Sequence, residues 1–218
     1  LRKIYVVKKN KNIKDVLDID FSKINYQEIG QYRKTLFVCT HDYCFIDILT
    51  SWIVSIKSNL FKNTHTVVRE SFISLFSKFL PGAKMLERNN DTTKKMIEIF
   101  KNNENILIFY SRRHLKYLNI DKIVKEVDIN IVPVRITSNT IKPVSHNRDG
   151  ILENIDIYLQ NKFSVEILNK VDFNKEYNKE KFIKILKEIL YPDNGYFNEK
   201  DIFIKGNDKI NKKELISI

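Results

Sequence analysis

The side chains with the most chemistry to offer fall in three short stretches. Thr40-His41-Asp42 follows an apolar run, and Asp47 comes with five residues between it and His41. A carboxylate beside Nδ1 fixes the tautomer of an imidazole and raises its basicity, so Nε2 can take a proton from a hydroxyl. A histidine in a turn can equally be a cap or a surface residue. The second stretch runs from Pro81-Gly82 to Arg88, and the third, Ser111-Arg112-Arg113, follows another apolar run. Guanidinium groups bind phosphate through two parallel donors, a geometry lysine cannot copy, although arginines are also ordinary solvated charge. Cys44 lies between His41 and Asp47 and invites a nucleophile reading. Its neighbours Tyr43, Phe45 and Ile46 argue instead for a small buried hydrophobe. His65 and His114 lack cysteine or carboxylate partners at ligand spacing, so no metal is expected.

These stretches need elements to hold them. Apolar runs at Thr35 to Cys39, Thr64 to Arg69, Asn105 to Tyr110 and Asn130 to Ile136 read as strands, with Lys84 to Glu87 as a short one. Helical patterns lie between them: Phe45 to Ile56, Glu70 to Leu80 stopped by Pro81-Gly82, and a helix capped by Asp91 that runs to Lys101. Ile155 to Leu159 and Ser164 to Leu168 read as later strands. Tyr177 to Leu190 reads as an amphipathic helix with Phe182, Ile185, Leu186 and Ile189 inward. Alternation of this kind predicts an α/β fold, a single domain with a mostly parallel central sheet flanked by helices. Sites in such sheets form at the carboxyl ends of strands. His41, Arg88 and the segment from Ser111 to Arg113 are therefore expected to converge. The expected organisation is a strand and helix lead-in over 1–30, the domain over 31–192, and a polar tail over 193–218. Trp52, with Phe45, Ile46 and Ile53, is expected in the core.

Composition narrows the function classes. The 218 residues carry 38 Lys and Arg against 27 Asp and Glu, a formal +11, with 43% hydrophobic and 11% aromatic content. That is enough apolar material for a core, which excludes wholesale disorder. Five Gly and four Pro exclude collagen-like and low-complexity classes. Two Cys are too few for a disulfide framework and suit a reducing compartment. No apolar run is long enough to span a bilayer. The opening Leu1-Arg2-Lys3 lacks the apolar stretch of a signal peptide, and without an initiator Met the chain is expected to be processed or cut from something longer. The basic balance favours anionic partners, or else reflects a composition rich in Lys, Asn and Ile. No basic arm interleaved with aromatics is present, so nucleic acid is not expected as a partner.

Four of these stretches, in order, resemble the sequence blocks of the glycerolipid acyltransferases, the relatives of lysophosphatidate acyltransferase. The first block in that family is a His, four residues and an Asp, and His41 and Asp47 are similar to it with one residue more. The second is a Gly leading to an Arg, like Gly82 and Arg88. The third ends a buried strand, where Ser111 and Arg112 stand near the family's Glu and Gly. The fourth is an apolar strand with Val-Pro-Val, matched by Val132-Pro133-Val134. The resemblance covers roughly residues 30 to 190. One extra residue inside a helix turns everything after it by about 100°. The insertion must therefore be absorbed in the turn if Asp47 is to face His41. Asp42 is a poor substitute, because adjacent side chains diverge.

The resemblance implies a glycerolphosphate acyltransferase-like fold. It also implies transfer of a fatty acyl chain from an acyl thioester to a hydroxyl or amine of a phosphate-bearing lipid acceptor. His41 and Asp47 would be catalytic, with His41 the general base. Gly82, Arg88, Ser111, Arg112 and Arg113 would bind substrate. No metal or cofactor is implied: acyl-CoA or acyl carrier protein is the donor substrate, and a lysophospholipid-like molecule the acceptor. Such chemistry places the protein in phospholipid biosynthesis, cytoplasmic and peripheral at an anionic membrane surface. Two other readings stay open: an inactive protein of this fold that binds lipid or acyl donor, and a basic nucleic-acid or scaffold protein.

Overall fold

A computed structural model describes residues 18–42, 45–70, 73, 82–138, 162–171 and 178–192, with the side chains at 18, 45, 46, 112 and 113 excepted. In chain order its elements are β1 (Asp18–Asp20), α1 (Tyr26–Ile29), β2 (Thr35–Cys39), α2 (Phe45–Lys57), a 3-10 turn (Phe61–Asn63) and β3 (Thr64–Val68). They continue with β4 (Lys84–Glu87), α3 (Thr92–Lys101), β5 (Asn105–Phe109), α4 (Arg112–Leu115), α5 (Ile120–Glu126), β6 (Asn130–Ser138), β7 (Lys162–Ile167) and α6 (Lys179–Leu190).

The strands form one seven-stranded sheet in the order β1-β7-β6-β2-β5-β3-β4. From β6 to β4 every neighbouring pair is parallel, while β7 runs antiparallel to β6 and pairs parallel with β1. The fold is thus α/β with a mostly parallel sheet flanked by helices. β2 is the central strand, and all five of its residues are buried. A strand covered on both faces can be apolar at every position, which is why its sequence shows a continuous run rather than alternation.

Successive residues still divide between two layers. Leu36 and Val38 of β2, with Ile106, Ile108 and Tyr110, pack with Met96, Phe100, Ile120, Phe182 and Leu186 of α3, α5 and α6. Phe37 and Cys39, with Leu107 and Phe109, pack with Ile48, Trp52 and Val54 of α2. Trp52 is a core residue here, and its indole N–H donates to the Thr66 hydroxyl at 3.3 Å. Pro133 sits in β6 without breaking the sheet. Its nitrogen faces the β7 side, where the ladder starts only at Val134 opposite Ile167. Its carbonyl, on that same flank, accepts from Leu168 N–H at 3.0 Å.

Several boundaries differ from the sequence reading. Asp91 does not cap α3: its backbone is helical (φ −86°, ψ −2°) and its side chain makes no cap bond. A capping side chain needs extended backbone to reach back to the helix N–H groups. The Thr92 hydroxyl takes up the Asn89 N–H instead, at 2.7 Å. α6 starts at Lys179, where the Asn178 side chain accepts the Lys181 N–H at 2.9 Å. Its buried residues are Phe182, Leu186 and Leu190, with Ile185 and Ile189 on the flanks. β7 begins two residues before the expected strand, at Lys162, and β6 extends two residues further, to Ser138. Asp18–Asp20 of the lead-in is an edge strand of the same sheet. Glu70 and Ile73 are helical, while the remainder of the expected 70–80 helix, the expected 155–159 strand, Cys44 and the 193–218 tail lie outside the described residues.

Candidate active site

His41 emerges from the middle of the sheet, and both neighbouring strands hold the chain up to that point. Thr40 N–H donates to Val134 O at 3.0 Å, and Tyr110 N–H donates to Cys39 O at 2.7 Å. The Thr40 hydroxyl accepts from Ile136 N–H at 2.9 Å and reaches Ile136 O at 3.3 Å. β2 is therefore clamped by β5 and β6 to its last residue, and the turn that follows starts from a fixed place.

α2 begins at Phe45 and carries Asp47 in its first turn. In that first turn Asp47 faces back toward His41. His41 Nδ1 lies 3.5 Å from Asp47 Oδ2, with the Asp47 side chain wholly buried and the His41 side chain 16% exposed. That is a close approach of ring and carboxylate and not a formed hydrogen bond, which would bring the two atoms to about 2.7–3.2 Å.

Aromatic rings wall the imidazole. The Phe109 ring centroid is 5.0 Å from that of His41, and His114 stands edge-on to His41 at 6.0 Å and to Phe109 at 5.6 Å. His114 is buried and follows β5 on α4. Sequence reasoning weighed it only as a metal ligand. Its ring neighbours come from different elements, which spacing along the chain does not reveal. Among the described residues no group of three or more His, Cys, Asp or Glu side chains is placed to hold a metal ion.

Asp42 has its own partner, Tyr191. The Tyr191 hydroxyl donates to Asp42 Oδ1 at 3.3 Å, and the His41 backbone N–H donates to the Tyr191 oxygen at 3.4 Å. Burial pushes the Asp42 carboxyl up to about 8, the Asp47 carboxylate adds repulsion, and the Tyr191 hydroxyl only partly opposes them. Burial likewise raises the Tyr191 hydroxyl well above its ordinary value. Cys39, the free cysteine among the described residues, is no nucleophile: burial lifts its thiol to about 12, and the Ser51 hydroxyl lies on its sulfur at 3.4 Å.

The other expected site residues occupy these places. β2, β5, β3 and β4 are mutually parallel, so His41, Ser111 and Arg88 all follow strands that leave the same edge of the sheet. Ser111 is one strand from His41. Arg88 is three strands away, or ~14 Å at ~4.8 Å per strand, and its N–H donates to Val68 O at 2.9 Å. The backbones of Arg112 and Arg113 form the first turn of α4. Gly82 lies at the opposite, amino end of β4, exposed in a turn with φ +87°. Glycine adopts that backbone without strain. The same amino edge holds His65, which pairs through Nε2 with Glu104, while Lys84 pairs with the other Glu104 oxygen. Burial would raise the Glu104 carboxyl, but these two donors outweigh it and hold it below its ordinary value. His65 thus belongs to a clip on the far edge from His41.

No family model matches this chain, and no curated protein does. Among solved structures, the chain is similar to the 1-acyl-sn-glycerophosphate (LPA) acyltransferase PlsC from Thermotoga maritima. Identity is 16%, over 80% of this chain and 68% of that one, with a TM-score of 0.47.

Proposed function

We propose that the protein transfers an acyl chain from a thioester to a hydroxyl or amine of a phosphate-bearing lipid acceptor. The observation that carries this is the His41–Asp47 pair, 3.5 Å apart at the carboxyl end of the central strand. Asp47 holds the imidazole in the tautomer with its proton on Nδ1 and stabilises the imidazolium. His41 Nε2 takes the acceptor proton as the acceptor oxygen attacks the thioester carbonyl. The tetrahedral adduct then collapses, the carbon–sulfur bond breaks, and the thiolate recovers the proton from the imidazolium. Every proton is accounted for without a metal or an acyl-enzyme. Acyl-CoA or an acyl carrier protein serves as donor. Arg88, Ser111, Arg112 and Arg113 receive the acceptor phosphate, and Gly82 lets the chain turn into β4.

The third block lacks the acid and glycine of the resembled family and carries two arginines. A more positive pocket suits an acceptor with more anionic charge than a plain lysophospholipid. The test is thioester release over lysophospholipids, glycerol phosphate and amino-lipid precursors, with both donor types. His41→Ala is expected to lower acceptor-dependent turnover by about 10²–10⁴ with folding kept. Unchanged turnover removes His41 from the mechanism. Tight acyl-CoA binding with no turnover for any pair selects a non-catalytic lipid-binding role.

A further inference from the structure

The candidate site is gripped from both faces of the sheet. Asp47 comes from α2, on the layer of Phe37, Cys39 and Phe109. Tyr191 comes from the end of α6, on the opposite layer with Leu36, Val38 and Tyr110. Its hydroxyl sits over the edge of β2 and meets two successive residues of the turn, accepting from His41 N–H at 3.4 Å and donating to Asp42 Oδ1 at 3.3 Å. One atom on a residue 150 positions away in sequence thus fixes the backbone that carries the imidazole. We propose that Tyr191 is a positioning residue for His41: it sets the His41–Asp42 turn so that Nδ1 stays against Asp47.

Tyr191 and the end of α6 that carries it are both held by the sheet. Its ring packs on Tyr110, centroids 5.8 Å apart. The Tyr110 hydroxyl donates to Ile183 O of α6 at 2.9 Å. Arg135 of β6 donates from Nε to Leu190 O at 3.2 Å and from Nη2 to Ile189 O, covering carbonyls that the end of a helix leaves unbonded. Arg135 is held in turn by Glu166 of β7 at 3.2 Å. The strands on either side of β2 therefore fix α6, and α6 fixes the turn after β2. Tyr191 is 8% exposed, so its hydroxyl is shielded from competing water. The Asp42 carboxyl is held largely neutral below about pH 8, which keeps a second negative charge away from Asp47.

The inference rests on reading His41 as the base, but it can be tested without turnover. Tyr191→Phe keeps the ring and removes the oxygen. In the full chain it is expected to shift the ring resonances and titration midpoint of His41, followed by histidine NMR and assigned with His41→Asn. Thioester turnover is expected to lose about ten- to a hundredfold in kcat with KM held, the cost of a misplaced catalytic group. Asp42→Asn, which leaves an acceptor for the Tyr191 hydroxyl, is expected to cost less than Tyr191→Phe. Unchanged His41 resonances in Tyr191→Phe overturn the proposal. If that variant does not fold, amide exchange in the unaltered protein decides: a His41 N–H exchanging as fast as an unstructured amide overturns it, and a slowed one supports it. A shifted His41 signal in a protein that turns over no thioester supports the positioning role while the acyl-transfer reading fails.

Discussion

Asp42 gives the site a dependence on pH that can be read in stability. Its carboxyl titrates near 8 in the fold against an ordinary 3.8, because burial and the Asp47 carboxylate both disfavour its charged form. Through most of that interval the folded chain holds a proton that the unfolded chain has released. By linkage the stability this gives is fully present below the unfolded value and is lost as pH rises through the folded one. The carboxylates held low, such as Glu104, act the other way and lose their contribution as pH falls. Comparison with Asp42→Asn separates the two, since the amide cannot ionise. The melting temperature of the unaltered protein is expected to fall relative to Asp42→Asn as pH rises from about 4 to about 8. Parallel curves for the two proteins would show that Asp42 ionises normally. At neutral pH, Asp47→Asn should cost turnover more than stability, because the amide fits the same buried place yet cannot balance an imidazolium.

Among the elements, β2 is the one that the rest of the sheet is built to hold, and Asn105 is the side chain that fixes its start. Asn105 is wholly buried, accepts Thr35 N–H at 3.0 Å and donates to Tyr32 O at 3.1 Å. Asn105→Ala leaves a buried N–H unpaired and is expected to cost about 1–3 kcal/mol, measured by urea unfolding. A loss within a few tenths would mean that water replaces the amide. The strands were legible because two-sided burial writes them as unbroken apolar runs, as in Leu36 to Val38 and Ile106 to Ile108. The His41–Asp47 relation was only half legible. Spacing alone does not say which way Asp47 points from its helix, and its place in the first turn of α2, 3.5 Å from the His41 ring, supplies that. Tyr191 was not legible at all. It lies just past the periodic face of α6, and its partners are about 150 residues away. Asp91 shows the converse: the residue type suited a cap, but the local backbone did not.

At the scale of the whole molecule, the formal +11 is the property most open to two explanations, a lipid surface or mere composition. Among the described residues no helix is long and apolar enough to cross a membrane. At a bilayer surface, each basic residue near anionic headgroups would add roughly 1 kcal/mol. Such attraction is screened within ~8–10 Å at physiological salt. Cosedimentation with vesicles rich in phosphatidylserine is therefore expected to exceed that with purely zwitterionic vesicles, and to fall as salt is raised. Equal binding to both would leave the charge as composition. The rival partner is separable by the same variable. Phosphate contacts to a duplex release counterions, so log affinity falls linearly with log salt at a slope of about −0.9 per contact. A steep duplex slope, with tighter binding than to any vesicle, would move the charge from lipid to nucleic acid. Shallow, weak duplex binding beside salt-sensitive vesicle binding would place the basic surface where a long-chain acceptor has to be met.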